Sequence, residues 1–251
     1  MGKRLIALGS ADQGVKLVAA LEYAKHPHLA EDAGELAGVG KIDLPLTSAV
    51  LGKYDALIDF STPEGAESAI HICLAHKIPL VMATTGLSES AKKQLRDAGD
   101  VIPVVWSPSM STAVNLTMKL CAMAGGVLKN LPSGCDVEII ERHHRFKEDA
   151  PSGTALKFGD IIAGVMGQER HVHGREGKTG KRPLNEIGYH AVRTGDNPGE
   201  HTIIFGMLGE TIELTVKASN RDCYALGAIE AAKFVAKQKP GMYTMYDVLG
   251  L

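Results

Sequence analysis

The chain has 251 residues, of which 45% are apolar and 22% are charged, as in a folded globular protein with one large domain or two small ones. A net charge of −2 without any block of like charge argues against binding to nucleic acid or to a membrane surface. The apolar runs are too short to span a bilayer, and the N-terminal segment has the pattern of a strand and not of a signal peptide.

The four cysteines are scattered along the chain and form no Cys-x-x-Cys pair. They are Cys73, Cys121, Cys135 and Cys223. In a chain of this length, scattered cysteines indicate buried reduced thiols and a cytoplasmic location.

The first half of the sequence alternates between strand and helix patterns. Strands are predicted at residues 4–8, 55–60, 79–84 and 101–106, and helices at residues 12–25, 63–77 and 88–99. Ser88 is a candidate cap for the last of these helices, and Gly99 follows its end. Such alternation predicts a parallel sheet with helices on both faces.

The pattern changes after residue 111. A helix in which Leu116, Leu120, Met123 and Val127 share one face is followed by a strand at 136–144 and a helix at 153–165. Strands then follow one another at 187–195, 200–208 and 210–218, before a terminal helix at 224–238 that is expected to return to the first domain. The glycine-rich stretch 167–186 is predicted to be a long loop.

These patterns together predict the fold class. It is α/β, with a doubly wound (Rossmann-like) parallel sheet plus a second α+β domain that has a mixed, largely antiparallel sheet.

The stretch 138–156, EIIERHHRFKEDAPSGTAL, gathers residues with acid–base and anion-binding chemistry. Ser152, Gly153 and Thr154 open a helix, whose free N–H groups and positive dipole end favour a carboxylate or a phosphate. Lys147 can add a full positive charge. His143 and His144 point to opposite sides of an extended strand, so that one can donate a proton while the other binds substrate.

Two other interpretations of this stretch use the same residues. Ser152 can be a simple helix cap beside surface histidines. A metal site would combine His143 and His144 with His171 and His173, but adjacent histidines on a strand do not easily chelate one ion, so no metal is predicted.

The segment ERHHRFKEDAPSGTA resembles the signature of the 4-hydroxy-tetrahydrodipicolinate reductase family, His-His-x-x-Lys-x-Asp-Ala-Pro-Ser-Gly-Thr-Ala, and matches every fixed position. The resemblance covers nearly the whole chain. Further matching segments are DAGELAG from Asp32, IDFSTPEG from Ile58, ATTG from Ala83, REGKTGKR from Arg175, EIG from Glu186, GEHTIIF from Gly199 and YALGAIEAA from Tyr224.

The resemblance implies a two-domain reductase of lysine and diaminopimelate biosynthesis. Hydride would pass from NADPH or NADH to 4-hydroxy-tetrahydrodipicolinate, a cyclic dicarboxylate, giving tetrahydrodipicolinate. Residues 1–112 and 221–251 would form the nucleotide-binding domain, and 113–220 the domain for substrate binding and oligomerisation. The family also implies a cytoplasmic homotetramer.

The resemblance also implies roles for individual residues. His143 is the expected proton donor and Lys147 its catalytic partner. The substrate carboxylates would be held by His144, Lys147, Ser152, Gly153 and Thr154, with Thr85 from the other domain. The cofactor-binding residues would be Gly9, Ser10, Ala11, Gln13, Gly14, Phe60, Ala83, Thr84, Thr85, Ser107 and Met110.

The nucleotide loop departs from the family pattern. Members usually have a loop like Gly-Ala-x-Gly-Arg-Met-Gly, whereas this chain has LGSADQG at 8–14, in which Asp12 would face a pyrophosphate unfavourably. Either residues 15–25 are the first helix, as their Ala, Leu and Lys content favours, or VKLVAALE at 15–22 is the second strand and Glu22 is the acidic residue that binds the ribose. The choice between NADH and NADPH stays open.

Smaller departures lie elsewhere. Ser109 and Met110 stand where the family tends to have Asn-Phe, and Val216 stands where it tends to have His. Met110 can still fill the space beside a nicotinamide.

Two alternatives to an active reductase remain. The altered loop favours a non-catalytic relative that binds a dicarboxylate or a protein partner and has weakened cofactor binding. A generic Rossmann dehydrogenase with another substrate explains the alternation, but not the anion cradle.

Overall fold

The computed structural model describes all 251 residues, which divide into two compact units. The first unit comprises residues 1–112 and 221–251, and the second comprises residues 113–220.

The first unit is built on a parallel sheet of four strands in the order β11-β5-β4-β3. The strands are β3 (Leu57–Asp59), β4 (Leu80–Met82), β5 (Pro103–Trp106) and β11 (Gly241–Tyr243). The associated helices are α3 (Pro63–His76), α4 (Glu89–Ala98), α7 (Asp222–Val235) and α8 (Met245–Leu249).

Helices cover both faces of this sheet. Leu80 and Met82 pack with α3 and α4, whereas Val81 packs with α7 in a separate hydrophobic cluster. Adjacent residues of β4 therefore serve opposite cores, as expected for a doubly wound sheet, and the predicted fold class is confirmed.

Local sequence signals set the ends of the helices. The Thr62 hydroxyl accepts a hydrogen bond from the Gly65 amide at the start of α3, where Pro63 is the first helical residue. Ser88 caps α4 through the Ala91 amide, as the sequence predicts.

The N-terminal predictions at residues 4–8 and 12–25 are wrong. Residues 4–8 belong to a helix, α1 (Gly2–Ala11), whose Leu5 and Ile6 pack in two different hydrophobic clusters. The segment predicted as the first helix is largely extended and ends in a short strand, β1 (Ala20–Leu21), which pairs in parallel with β2 (Leu46–Thr47).

The physical reason is tertiary. The helix-favouring Ala and Leu residues of 15–21 gain more from strand pairing and from burial of Ala20 and Leu46 than from local helix propensity. The alternative in which 15–22 forms the second strand therefore describes the structure better, although a helix does precede it.

The second unit contains a five-stranded sheet in the order β10-β9-β6-β8-β7. Its elements are α5 (Thr112–Leu128), β6 (Asp136–His143), α6 (Gly153–Met166), β7 (Arg170–His173), β8 (Glu186–Arg193), β9 (Glu200–Gly206) and β10 (Thr211–Lys217). The sheet is mixed, as predicted, although only two of its four pairings are antiparallel.

Stretch 167–186 is more ordered than a simple loop, because it contains β7. Arg182 donates to Asp136 at 2.7 Å and to Glu138 at 3.0 Å, and Arg175 donates to Glu138 at 2.7 Å. Burial raises the pKa of Glu138, but hydrogen bonds from Arg175, His190 and Arg182 outweigh it and lower the value to about 2. These ion pairs hold the stretch against the sheet.

Candidate active site

Strand register in the second unit brings four polar side chains together on one face of the sheet. Glu141 and His143 are two residues apart on β6, so their side chains point the same way. Arg193 of β8 lies opposite His143, and His201 of β9 lies opposite Glu141. The constellation thus follows from pairing between strands that are distant in sequence.

Glu141 is the centre of this group. Its carboxylate is buried and receives two hydrogen bonds of 2.7 Å from the guanidinium of Arg193. One of its oxygens lies 2.5 Å from Nδ1 of His143, and the other accepts from the Ser152 amide at 3.0 Å. Burial raises the pKa of Glu141, but the bonds from Arg193 and His143 outweigh it, so the net pKa is lowered and the group stays ionised.

His143 is held in one orientation. Because Nδ1 faces the Glu141 carboxylate, the proton shared with that carboxylate resides on Nδ1, and Nε2 is the nitrogen left for chemistry. Burial lowers the pKa of His143 and the nearby Glu141 raises it, with a net lowering. His143 is thus an oriented imidazole with no hydrogen-bond partner on Nε2 within the protein.

Ser152 organises the start of α6. Its hydroxyl accepts from the Ala155 amide at 3.2 Å and lies 3.0 Å from Nε2 of His201. Ser152 is only 2% exposed, so it connects α6 to the sheet and presents no free donor to a ligand. The sequence predicts that Ser152 binds the substrate directly, but its buried hydroxyl does not support such a contact.

The next two residues do present free donors. The amides of Gly153 and Thr154 open α6 and have no acceptor within the protein, since the first amides of a helix lack an intrahelical partner. Nothing lies within 4 Å of a Cβ built on Gly153, so a ligand can approach this backbone closely.

Lys147 and His144 lie in the turn between β6 and α6. The Lys147 amide donates to the His144 carbonyl, and its ammonium pairs with Asp149 at 2.7 Å. Nδ1 of His144 is buried without a hydrogen-bond partner. An unpaired buried nitrogen is costly, and a ligand carboxylate or a water could satisfy it.

The sequence predictions missed three members of this group: Glu141, Arg193 and His201. The one local signal was the spacing of Glu141 and His143, since residues two apart on a strand share a face. Arg193 and His201 could be found only by knowing the strand order. Val216, a noted departure from the family, is buried directly opposite His201.

In the first unit, several predicted cofactor residues follow the carboxyl ends of neighbouring parallel strands. Phe60 follows β3, Ala83, Thr84 and Thr85 follow β4, and Ser107 follows β5. Open α/β sheets bind ligands outside this edge. Thr84 is buried and donates to Asp59 at 2.6 Å, which ties β3 to β4, whereas Thr85 is exposed.

Met110 has a different place from the one predicted. It is 1% exposed and packs with Val81, Val105 and Ala228, and the backbone of α7 approaches its carbonyl at Gly227. Met110 is therefore a core residue in this structure.

The predicted phosphate loop, residues 9–14, does not fit a dinucleotide. Gly9, Ser10 and Ala11 lie within α1, while Gln13 and Gly14 lie in the turn after it, so no strand precedes them. Asp12 is already paired with Lys233 at 2.7 Å.

The turn at residues 12–14 also lies at the edge of the sheet opposite to the one where open α/β sheets bind a dinucleotide. Arg4 pairs with Asp222 at 2.6 Å at the amino ends of α1 and α7, and Asp12 pairs with Lys233 near their carboxyl ends, so the two helices run parallel. α7 leads within a few residues into the amino end of β11. Residues 12–14 are thus near the amino edge, opposite to Phe60, Ala83 and Ser107.

The histidines of the metal interpretation have other partners. His171 and His173 stack on Tyr189, with ring centroids 5.6 and 5.1 Å away. The structure contains no group of three or more His, Cys, Asp or Glu side chains that could hold a metal ion.

No helix is both long and apolar enough to cross a membrane. All four cysteines are free thiols, and Cys73, Cys121 and Cys135 are buried.

Family models for both halves of one enzyme match the chain. The model described as "Dihydrodipicolinate reductase, N-terminus" matches residues 1–110, and "Dihydrodipicolinate reductase, C-terminus" matches residues 113–249. The chain belongs to the dihydrodipicolinate reductase family.

Individual members of the dihydrodipicolinate reductase family are similar over the whole chain. A 4-hydroxy-tetrahydrodipicolinate reductase of Rhodopirellula baltica is 56% identical over 100% of this chain and 92% of the relative. One of Alkalilimnicola ehrlichii is 45% identical over 100% of this chain and 95% of the relative. The dipicolinate-bound dihydrodipicolinate reductase of Paenisporosarcina sp. TG-14 shares the fold, with a TM-score of 0.76, 23% identity and coverage of 98% of this chain and 94% of that one.

Proposed function

We propose that the chain is an NAD(P)H-dependent 4-hydroxy-tetrahydrodipicolinate reductase of lysine and diaminopimelate biosynthesis. The observation that carries the proposal is the double contact of Glu141, which holds both the His143 imidazole and the amide of Ser152 at the start of α6. One carboxylate thereby positions a proton donor beside a helix amino end that binds anions.

His143 has the role of proton donor. Loss of the 4-hydroxyl group as water would leave an unsaturated ring; when bound, NADPH or NADH would supply a hydride to that ring, which must then take up a proton. Glu141 keeps Nδ1 of His143 protonated, so the transferable proton is on Nε2. Two substrate carboxylates would raise the lowered pKa of His143 and favour the imidazolium when substrate is present.

Gly153, Thr154, Lys147 and His144 hold the dicarboxylate. The two free amides of α6 would donate hydrogen bonds to one carboxylate at the positive end of the helix dipole. Lys147 adds a positive charge. Its ammonium can exchange the exposed Asp149 for a substrate carboxylate, because a surface ion pair contributes little to stability.

The proposed cofactor and substrate roles divide between the two units. Residues 1–112 and 221–251 would bind the nucleotide at the carboxyl edge of the sheet, through Phe60, Ala83, Thr85 and Ser107. Residues 113–220 would bind the substrate and form the oligomer.

A homotetramer in the cytoplasm is part of the proposal. The sheet face opposite the Glu141–His143 side exposes Ile140 and Val192 by 37% and 39%, with the partly buried Ile204 between charged neighbours. Apolar side chains on an uncovered sheet face are typical of an interface between copies. Light scattering should give four times the chain mass of 26.7 kDa, and a monomer at micromolar concentration would refute the tetramer.

The test of the reductase function is steady-state turnover with NADPH and with NADH, for the unaltered chain and for His143→Gln. Loss of general-acid catalysis should lower kcat by about 10²–10⁴-fold with a small change in KM. Lys129→Gln, on an exposed lysine at the end of α5, is the matched surface control. Equal turnover of the His143 variant and the control would remove His143 from the mechanism.

A further inference from the structure

Arg193, the last residue of β8, donates hydrogen bonds to two different parts of the candidate active site. Its two terminal nitrogens each lie 2.7 Å from one oxygen of Glu141. Nη2 also donates to the main-chain carbonyl of Asp149, at 2.6 Å. One guanidinium therefore contacts both the carboxylate that orients the proton donor and the turn that carries Lys147.

The contact with Glu141 depends on the shape of the arginine side chain. A planar guanidinium presents two N–H groups side by side to the two oxygens of a carboxylate, whereas an ammonium is a single point charge. The Glu141 side chain is only 1% exposed, so its charge requires such a partner. Because both of its oxygens are held, the oxygen that faces Nδ1 of His143 is held as well.

The contact with Asp149 is made to the main chain, and the Asp149 side chain takes no part in it. That side chain is 60% exposed and pairs with Lys147 at 2.7 Å. A substrate carboxylate that replaces Asp149 at Lys147 would therefore break the side-chain pair without releasing the carbonyl held by Arg193. The turn can keep its position while Lys147 changes partner.

The sheet itself does not depend on the Arg193 side chain. Beyond the ends of β6 and β8, the Thr194 amide donates to the His143 carbonyl at 3.0 Å and the Arg145 amide donates to the Gly195 carbonyl at 3.1 Å. These main-chain bonds join the same two segments and remain when the guanidinium is removed. Loss of the guanidinium should thus disturb the site and leave the strand pairing in place.

The arrangement has a cost if stability is its only purpose. The Nε atom of Arg193 is buried without a hydrogen-bond partner, and a buried ion pair is weak evidence for a gain in stability. What the guanidinium does provide is a fixed geometry for two groups that act on one substrate.

We propose that Arg193 is a positioning residue for the reaction, which holds the Glu141–His143 pair through one carboxylate and the Lys147 turn through one main-chain carbonyl. Its contact with Glu141 acts on kcat, because that carboxylate orients the proton donor. Its contact with Asp149 acts on KM, because the turn carries the lysine that binds a substrate carboxylate. These kinetic roles rest on the proposed reductase function.

The experiment measures kcat and KM for Arg193→Lys, for Glu141→Gln and for the double variant. Lysine keeps the positive charge but cannot hold both oxygens of Glu141 together with the Asp149 carbonyl, so Arg193→Lys should lower kcat about tenfold and raise KM about tenfold. In the Glu141→Gln background the same change should lower kcat by about twofold at most, since its route to His143 is already lost, and should still raise KM. Arg96→Lys, on an exposed arginine of α4, is the matched control and should change neither constant.

A second readout does not require turnover. Nitrogen NMR of a chain with isotope-labelled histidines reports which ring nitrogen of His143 carries the proton, and the His143→Gln variant identifies its signals. In the unaltered chain the neutral ring should carry this proton on Nδ1, facing Glu141. Arg193→Lys should divide it between the two nitrogens, because the carboxylate oxygen is no longer held against Nδ1, whereas Arg96→Lys should not.

If Arg193→Lys does not fold, the double variant Glu141→Gln/Arg193→Gln is compared with Glu141→Gln alone, because it leaves no buried charge unpaired. This variant should again raise KM with little further loss of kcat. An unchanged KM in that comparison would overturn the proposal.

Unchanged kcat, KM and ring protonation in Arg193→Lys would refute the proposal, and so would a change confined to the thermal midpoint, which would assign Arg193 to stability. An equal loss of kcat with and without Glu141 would also contradict it. Absence of turnover in the unaltered chain would instead refute the proposed reductase function, and the NMR comparison would still decide whether Arg193 positions His143.

Discussion

Glu141 places one carboxylate oxygen 2.5 Å from Nδ1 of His143, and this contact fixes which nitrogen of the imidazole is free to react. The same carboxylate holds Arg193 and the Ser152 amide, so its charge is compensated even though it is buried.

Replacement of Glu141 by glutamine should lower kcat by about 10–100-fold, because a charge-assisted hydrogen bond of about 1.5–3 kcal/mol is lost from the proton donor. The pKa of His143 should fall further without the carboxylate that raises it. The alkaline limb of the kcat/KM profile, along which the proton donor loses its proton, should therefore move to lower pH. Glu141→Asp should recover part of the rate. A variant with reduced kcat but an unshifted pH profile would show that Glu141 acts through stability alone.

Lys147→Gln should raise the KM for substrate by about 10-fold or more and also lower kcat, since one positive charge is lost beside the carboxylates. The Thr154→Val variant should mainly raise KM. Lys129→Gln again serves as the control for a lost lysine charge. Substrate titrations in which Lys147→Gln and Lys129→Gln behave alike would argue against the proposed cradle.

The pH dependence of stability should reflect His201. Burial lowers the pKa of His201 to about 4, and the neighbouring charge of His143 lowers it further. Between pH 4 and 6.5 the unfolded chain binds a proton that the folded chain does not, so the free energy of unfolding rises with pH across this window, by about 3 kcal/mol in total. This gain in the free energy of unfolding is lost as the pH falls from 6.5 towards 4.

Urea unfolding at a series of pH values measures this slope. His201→Gln should flatten it, whereas His71→Gln, on an exposed histidine of α3, should leave it unchanged. If the free energy of unfolding changes with pH by the same slope in the unaltered chain and in His201→Gln, groups other than His201 cause the pH dependence.

Two glycines of α6 should respond in opposite ways to alanine. A Cβ at Gly159 would overlap the hydroxyl of Tyr189, whereas nothing lies within 4 Å of a Cβ at Gly164. Gly159→Ala should therefore destabilise the chain by about 1–3 kcal/mol through overpacking. Gly164→Ala should stabilise it by about 0.5–1 kcal/mol through helix propensity. Thermal unfolding of the two variants tests the pair, and equal midpoints would contradict the close packing of α6 on β8.

Residues near one another in the chain were predictable. The alternation of apolar patterns predicted both sheets, and the helix starts at Pro63, Glu89 and Gly153 follow from a proline or a hydroxyl cap beside them. The pattern around His143, Lys147 and Gly153 located the candidate site, because its chemistry is contained in one short stretch.

The conformation of the N-terminal segment depends on tertiary contacts and could not be predicted from neighbouring residues. Residues 4–8 carry apolar side chains that suit a strand or a helix, and only their packing against two separate clusters determines that they are helical. Residues 15–21 favour a helix by composition, but pairing of β1 with β2 makes them extended.

By itself, the sequence determined the two kinds of sheet, the capped helices and the short stretch that bears His143, Lys147 and the amino end of α6, because each depends on neighbours within a few residues. Only the tertiary structure decided that Glu141, Arg193 and His201 surround His143 and Ser152, and that β1 and β3 are strand edges. These relationships depend on strand register and strand order, which join residues about 50 positions apart and leave no periodic trace in the chain.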